Sequence, residues 1–216
     1  MKKILVIAPR PMDETLGAGG TILKHAANGD ELHWLILTKP EESKWGKEKI
    51  ERNIKEVTKV AEIYKFRSFR RLNFLQDSLD GDKLKELVEI IKGTFELIKP
   101  NIIYLPLGNT LNDDYYIAFK ASLKALESFK IKIQKILCYE VVSYLDFVSE
   151  AVNPNVYTDV SEFIDNKLEI MNLYEEEVQG YPMPKSTESI RSLAKVRGAT
   201  IGTEYAEAFM LIKEIC

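Results

Sequence analysis

The stretch that decides the fold is Ile4-Leu5-Val6-Ile7-Ala8-Pro9-Arg10-Pro11-Met12-Asp13-Glu14-Thr15-Leu16-Gly17-Ala18-Gly19-Gly20. Its first five residues form an apolar run rich in branched side chains, which is typical of a strand buried on both faces. Three glycines then precede residues with helical periodicity. The stretch therefore predicts a strand, a loop and a helix that begins at about Glu14 or Thr15, runs to Asn28 and ends at Gly29.

Strand and helix patterns alternate along the rest of the chain. Apolar runs predict strands at residues 32–37, 102–107 and 133–142, and apolar residues at helical spacing predict amphipathic helices over residues 50–64 and 84–98. This alternation predicts an α/β protein with a three-layer, Rossmann-like fold, in which helices flank a largely parallel sheet. We expect a single domain over residues 1–216, a mobile loop at residues 40–49 and no regular helix at residues 180–184, which contain two prolines.

The composition excludes several classes of protein. The chain has 216 residues, of which 45% are hydrophobic and 29% are charged, and its formal net charge is −3. No apolar run approaches the ~18 residues that cross a bilayer, and the acidic balance argues against nucleic acid as the main partner. The first residues resemble the start of a signal peptide, but the apolar run is short and meets Arg10, so we expect a cytoplasmic protein. Two cysteines provide no disulfide framework.

The loop after the first strand is the first candidate for function, because ligands of open parallel sheets bind beyond the carboxyl ends of the strands. A nucleotide site is one interpretation of its glycines. However, their spacing is not G-x-G-x-x-G, and Asp13 and Glu14 lie where a diphosphate would need backbone N–H groups. In a purely structural interpretation, the two carboxylates stabilise the helix start and the glycines allow close packing.

Residues 8–20 resemble the signature A-H-P-D-D-E-x-x-G-x-G-G of the PIG-L/LmbE family, whose members are metal-dependent enzymes that remove acetyl groups from N-acetylglucosamine-type substrates. Further similarities follow in the family's order. They are Arg52, Glu56 and Ala61 in its R-x-x-E helix, residues 109–115 at its H-x-D-H motif, Tyr139-Glu140 at its Y-E pair, residues 155–167 before its C-terminal helices, and Gly198, Gly202 and residues 205–209 at its closing motif. The resemblance covers the whole chain and implies the same fold.

The resemblance also implies where the family's zinc chemistry would be located. The three zinc ligands fall on Arg10, Asp13 and Tyr115, and the general base falls on Met12. The histidine that opens the second motif is Asn112, whereas Asp114 is retained. We therefore expect a degenerate metal site from which the zinc of the family is absent.

The remaining candidate ligands leave three alternatives for this position. The two histidines, His25 and His33, lie in the predicted first helix and second strand, away from the crevice. Oxygen ligands for magnesium or calcium are available from Asp13, Glu14, Asp113, Asp114 and Glu140. Alternatively, Arg10 occupies the metal position and pairs with Asp13 or Asp114, or it extends into solvent.

Two functions follow from the resemblance. In the first, the protein keeps a crevice for an amino sugar or a sugar nucleotide but has lost zinc-dependent deacetylation, and it has a binding or regulatory role. Its ligand-binding residues would be Arg10, Glu14, Arg52, Asn112 and Tyr115, and a homo-oligomer is compatible with this role. In the alternative, it is an active deacetylase of N-acetylated sugars with a rebuilt centre around Asp13, Glu14 and Asp114, of which Asp13 and Asp114 are the catalytic candidates.

Overall fold

The computed structural model describes residues 1–108, 110–127, 133–141 and 153–216. Its strands are β1 (Lys3–Ala8), β2 (Glu31–Lys39), β3 (Ser68–Leu75), β4 (Ile102–Pro106), β5 (Lys135–Tyr139), β6 (Val156–Asp159) and β7 (Ala206–Glu214). Its helices are α1 (Asp13–Ala27), α2 (Glu42–Trp45), α3 (Lys47–Ile63), α4 (Leu84–Ile98), α5 (Asp113–Glu127), α6 (Ile164–Met171) and α7 (Thr187–Ile201).

The strands form one sheet in the order β3-β2-β1-β4-β5-β7-β6. The pairs from β3 to β5 are parallel, whereas β7 is antiparallel to both β5 and β6. The buried strand β1 divides its side chains between two cores, as its apolar run predicts: Ile4, Val6 and Ala8 pack with α1, α3, α6 and α7, and Leu5 and Ile7 pack with α4 and α5. The predicted three-layer α/β fold with a largely parallel sheet is confirmed.

Most of the predicted elements are present, with small shifts at their ends. Helix α1 begins at Asp13, one residue earlier than predicted, and Gly29 follows it with a φ of +73°. Strand β5 covers residues 135–139 of the predicted 133–142, and residue 142 lies outside the described residues. Residues 180–184 form turns rather than a helix, as predicted.

The prediction of a loop at residues 40–49 is wrong. This segment contains α2 and the start of α3, and the backbone N–H groups of Lys44 and Trp45 bond to the carbonyl of Glu41. Lys44 also pairs with Glu41 at 3.0 Å. The charged composition that suggested a loop is equally suited to exposed helices, because lysine and glutamate are good helix formers.

Close packing explains the glycines of α1. A Cβ atom on Gly17 would lie 2.1 Å from Cδ2 of Tyr139, and one on Gly20 would lie 2.7 Å from Cβ of Val160. These contacts bring the first turns of α1 against β5 and the segment after β6. In the part of the chain that the structure describes, no helix is both long and apolar enough to span a bilayer.

Candidate functional site at the carboxyl edge of the sheet

The loop from β1 to α1 has a constrained backbone. Met12 has a φ of +91° although its side chain is large and almost fully buried. The carbonyl of Pro9 accepts hydrogen bonds from the backbone N–H of Thr38 at 3.0 Å and from its hydroxyl at 2.8 Å, which ties the loop to β2. A positive φ at such a residue persists only where the surroundings enforce it, and such residues concentrate at functional sites.

Asp13 joins this loop to α5. Its Oδ1 accepts a hydrogen bond from the Tyr115 hydroxyl at 2.6 Å, and its Oδ2 accepts one from the backbone N–H of Arg10 at 2.9 Å. Burial raises the pKa of Asp13 to about 6, against the opposing effects of the Tyr115 hydrogen bond and of the positive charges on Arg10 and Lys185. Both carboxylate oxygens therefore have partners within the protein.

The Arg10 guanidinium lies between two carboxylates. Its Nη2 is 3.3 Å from Oδ2 of Asp114 and 2.5 Å from Oδ1 of Asp77, and its Cζ is 5.9 Å from the ring centroid of Tyr115. Its side chain is 15% exposed, so it does not extend into solvent. We call Arg10, Asp13, Asp77, Asp114 and Tyr115 the Arg10 cluster.

Asp114 fixes the turn that follows β3. Its Oδ2 accepts a hydrogen bond from the backbone N–H of Asp77 at 2.8 Å, and its Oδ1 accepts one from the backbone N–H of Leu79 at 3.0 Å. The position of Asp114 is set in turn by Asn112, whose side-chain oxygen accepts the Asp114 N–H at 3.0 Å at the start of α5. Asn112 therefore acts in this structure as a helix cap beside the cluster.

Glu14 lies in a second buried group of polar side chains. Its Oε1 accepts hydrogen bonds from the hydroxyls of Thr15 and Tyr174, each at 2.7 Å, and the Tyr64 hydroxyl bonds to Thr15 at 2.9 Å. Its Oε2 has no hydrogen-bond partner among the described residues. Burial raises the pKa of Glu14 to about 7. The carboxyl group is thus held at one oxygen and titrates near neutral pH.

Arg52 lies outside the Arg10 cluster. It is on α3, and its Nη1 is 3.1 Å from Glu176 and 3.4 Å from Glu175, in the segment that follows α6. Glu56, which is four residues later rather than the three of the R-x-x-E motif, accepts the backbone N–H of Glu175 at 3.3 Å. Both side chains therefore hold the segment that carries Tyr174, the partner of Glu14.

Sequence reasoning missed Asp77, Tyr174 and Lys185. Asp77 has a φ of +58°, which aspartate tolerates better than most residues, but it follows a strand that was not predicted. Lys185 is paired with Glu177 at 2.7 Å, and its charge reaches Asp13. Tyr174 and Lys185 come from distant sequence, and their neighbours contain no motif that points to the site.

The predicted oxygen ligands do not assemble into one site. Glu140 pairs with Arg197, with its Oε2 3.0 Å from Nε, and Asp113 is exposed. Among the described residues, no three His, Cys, Asp or Glu side chains are placed to hold a metal ion. His25 is in the last turn of α1 and His33 is in β2, where each bonds to nearby polar groups away from the crevice, as predicted.

Comparison with known proteins identifies relatives along the whole chain. The profile of the family described as PIG-L: GlcNAc-PI de-N-acetylase matches residues 5–126. A diacetylchitobiose deacetylase of Thermococcus kodakarensis is 26% identical over 237 residues, covering 100% of this chain and 85% of the relative.

Solved structures show the same fold. The conserved protein TT1542 from Thermus thermophilus superposes with a TM-score of 0.79 and 22% identity, over 100% of this chain and 97% of that chain. The N,N'-diacetylchitobiose deacetylase from Pyrococcus horikoshii, in complex with its inhibitor MPG, gives a TM-score of 0.73 and 19% identity, over 98% of this chain and 84% of that chain.

Proposed function

This chain belongs to the PIG-L family, and from that premise we propose that it binds N-acetylated amino sugars of the diacetylchitobiose type at the crevice beside the Arg10 cluster. The observation that carries the proposal is the alignment of the whole chain with a diacetylchitobiose deacetylase, at 26% identity. The Arg10 cluster lies at the carboxyl ends of β1 and β4, where ligands of open parallel sheets bind. Sugar contacts in such a fold come from several loops, so recognition does not depend on one motif residue.

The residues of the Arg10 cluster do not fit the histidine-bound zinc of the family. Of the three ligand positions, only that of Asp13 keeps the residue of the family, and both of its oxygens accept hydrogen bonds. The guanidinium of Arg10 is a permanent cation and would repel a divalent ion. Met12, at the position of the base, cannot take a proton. These substitutions support a binding or regulatory role without zinc-dependent hydrolysis.

Deacetylation is the second candidate, and the names of the relatives favour it over a loss of activity. The specific observation in this chain is Glu14, whose Oε2 has no described partner and whose pKa is raised to about 7. A carboxylate with that pKa is matched to general-base catalysis near neutral pH. In this candidate mechanism Asp13 and Asp114 orient Tyr115 and Arg10 and do not themselves react.

In the second candidate function, water is the only reactant besides the N-acetylated sugar. This reaction requires the Glu14 carboxyl, which is fully buried, to become open to the crevice. Glu14 then takes a proton from water while the water oxygen attacks the acetyl carbonyl, and the Arg10 guanidinium stabilises the resulting oxyanion. The C–N bond then breaks, and Glu14 returns the proton to the leaving amine. The products are acetate and the free amino sugar.

Calorimetric binding and acetate release, measured with N,N'-diacetylchitobiose, test both candidates. We expect saturable binding, weakened by Arg10→Lys and unchanged by Arg70→Lys, a matched change at an exposed arginine of β3. Binding without acetate release supports the binding role. Acetate release that Glu14→Gln abolishes supports the deacetylase instead, and absence of both binding and release rejects the proposal. A sugar nucleotide as ligand, a homo-oligomer and a cytoplasmic location remain predictions.

A further inference from the structure

A second cleft lies at the amino-terminal edge of the sheet, away from the Arg10 cluster. It has a volume of about 360 Å³ and opens between the C-terminal half of α1, the first residues of β4 and β5, and β6. This volume is within the range of small-molecule sites. None of the groups that line it takes part in the proposed function.

One face of α1 supplies the polar wall of this cleft. The cleft is lined on this side by Thr21, Lys24, His25 and Asn28. The last three follow Thr21 by three, four and seven residues, so all four lie on a single stripe of the helix. Thr21 is 2% exposed, and its hydroxyl has no hydrogen-bond partner among the described residues. A buried hydroxyl without a partner is costly, so this group points to a ligand or a water at the cleft.

The back of the cleft is a fixed network of hydrogen bonds. His25 Nε2 is 2.9 Å from the Tyr104 hydroxyl, and His25 Nδ1 is 2.8 Å from Oδ2 of Asp30. The other oxygen of Asp30 accepts the backbone N–H of Lys2 at 2.8 Å. Because a carboxylate only accepts, Nδ1 carries the proton and Nε2 accepts from Tyr104. This network holds the imidazole and the chain start in place.

The charge of the lining is positive. Three lysines and one glutamate line the cleft, and that glutamate, Glu214, is neutralised by Lys135 at 2.9 Å. Within the described residues, neither Lys2 nor Lys24 forms a salt bridge; the ammonium of Lys24 bonds to the carbonyl of Asp159 at 3.0 Å. Two ammonium groups and a hydroxyl on the lining of one cleft are a suitable receptor for a compact anion such as phosphate.

We propose that this cleft binds the phosphate group of a small organic phosphate. Lys2 and Lys24 supply the charge, and the Thr21 hydroxyl donates to a phosphate oxygen. The body of the ligand packs against the half-buried side chains of Val156 and Tyr157, which also line the cleft. The site is separate from the amino-sugar crevice, so the two proposals stand or fall independently.

Amide chemical shifts, followed during titration with inorganic phosphate and with phenyl phosphate, test this site. We expect saturable shifts at Thr21, Lys24 and His25, with phenyl phosphate binding more tightly than inorganic phosphate. Lys24→Gln should lower the affinity for phenyl phosphate about tenfold, and Thr21→Val should lower it about threefold. Lys59→Gln makes the same charge change on an exposed face of α3 and should leave the affinity unchanged.

Three results would overturn the proposal. They are shifts that do not saturate at millimolar ligand, shifts centred elsewhere on the protein, and an equal loss of affinity in Lys24→Gln and Lys59→Gln. Spectra of the unliganded variants show whether each remains folded, so a loss of binding is attributable to the cleft. N,N'-diacetylchitobiose should leave these three amides unshifted.

Discussion

The guanidinium of Arg10 lies 3.3 Å from the buried carboxylate of Asp114 and joins the loop after β1 to the start of α5. In the family signature the position of Arg10 belongs to a histidine. A cation here compensates Asp114, whose side chain is fully buried, and also binds Asp77 at the surface. The same pair therefore stabilises the folded chain at the edge of the sheet where we propose that the amino sugar binds.

Replacing Arg10 by methionine should lower the free energy of unfolding by about 2–4 kcal/mol, because it leaves a buried carboxylate without its counterion. Asp114 also accepts hydrogen bonds from two backbone N–H groups, and these keep the loss of stability below that expected for an isolated buried charge. Urea unfolding measures the change, and Arg70→Met, at an exposed arginine, should cost under about 0.5 kcal/mol. A loss below about 1 kcal/mol for Arg10→Met would contradict the assigned pair.

The close approach of α1 to β5 makes a second prediction. Gly17→Ala should destabilise the protein by about 1–3 kcal/mol, since the new methyl group would overlap the Tyr139 ring and approach the Glu140 carbonyl at 2.9 Å. Gly93→Ala on α4 is the matched control. A Cβ there meets no atom within 4 Å, so it should stabilise the protein by up to about 1 kcal/mol. Equal thermal midpoints for the two variants would refute the packing argument.

The parts of the fold that were predictable from sequence have strong local patterns. The apolar run of β1 and the periodicity of α4 identify these elements without tertiary information. The sequence does not indicate strand β3, because it is an edge strand in which only one of the eight residues is fully buried. Only the motif at residues 205–209 marks strand β7 in the sequence, and the antiparallel position of β7 between β5 and β6 depends on long-range pairing.

The same distinction applies to the candidate site. Arg10, Asp13, Asp114 and Tyr115 come together because β1 and β4 are parallel neighbours, so the loops after them meet at one edge. The order of the strands in the sheet is therefore enough to predict that these residues lie close together. Tyr174 and Lys185 reach the site from the segment between α6 and α7. That segment is placed by ion pairs such as Arg52 with Glu176, which no local pattern predicts.

The buried pair of Lys167 and Glu207 should be essential to the join between α1 and β7. Their side chains are 2.7 Å apart, and Glu207 also accepts the backbone N–H groups of Gly20 and Thr21. Lys167→Met should cost about 3 kcal/mol in the free energy of unfolding, because it removes one partner of a buried ion pair and leaves Glu207 without its counterion. Lys195→Met, at an exposed lysine of α7, should be nearly neutral. Chemical denaturation of both variants measures these changes in the free energy of unfolding, and equal values would contradict the prediction.

Glu14 makes stability depend on pH in a definite direction. Its pKa rises on folding from about 4.5 to about 7, so the folded state holds the proton more tightly than the unfolded state. Its stabilising contribution is complete below about pH 4.5 and is lost as the pH rises to about 7, a loss of roughly 3 kcal/mol. Glutamine at this position does not titrate.

The free energy of unfolding of Glu14→Gln, relative to wild type, should therefore increase steadily between pH 4.5 and 7 and be level above that range. Its Oε1 can still accept from Thr15 and Tyr174, so the hydrogen bonds are retained. Glu96→Gln makes the same chemical change at an exposed position of α4 and provides the baseline. A pH-independent difference for Glu14→Gln would show that this carboxyl is not buried in solution.

The last prediction concerns zinc. Purified wild-type protein should carry well under one zinc per chain, because Arg10 and Tyr115 stand at two of the three ligand positions. A quadruple variant restores the family motif on a backbone that keeps the family's fold, so it should bind about one zinc. Its changes are Arg10→His, Met12→Asp, Asn112→His and Tyr115→His. Elemental analysis after identical metal loading gives the ratio, and adding Asp13→Asn to the restored variant should abolish binding. Acetate release from N,N'-diacetylchitobiose should appear only in the restored variant. Stoichiometric zinc in the wild type, or turnover by it at about 1 per second, would show that other residues of this chain perform the family's reaction.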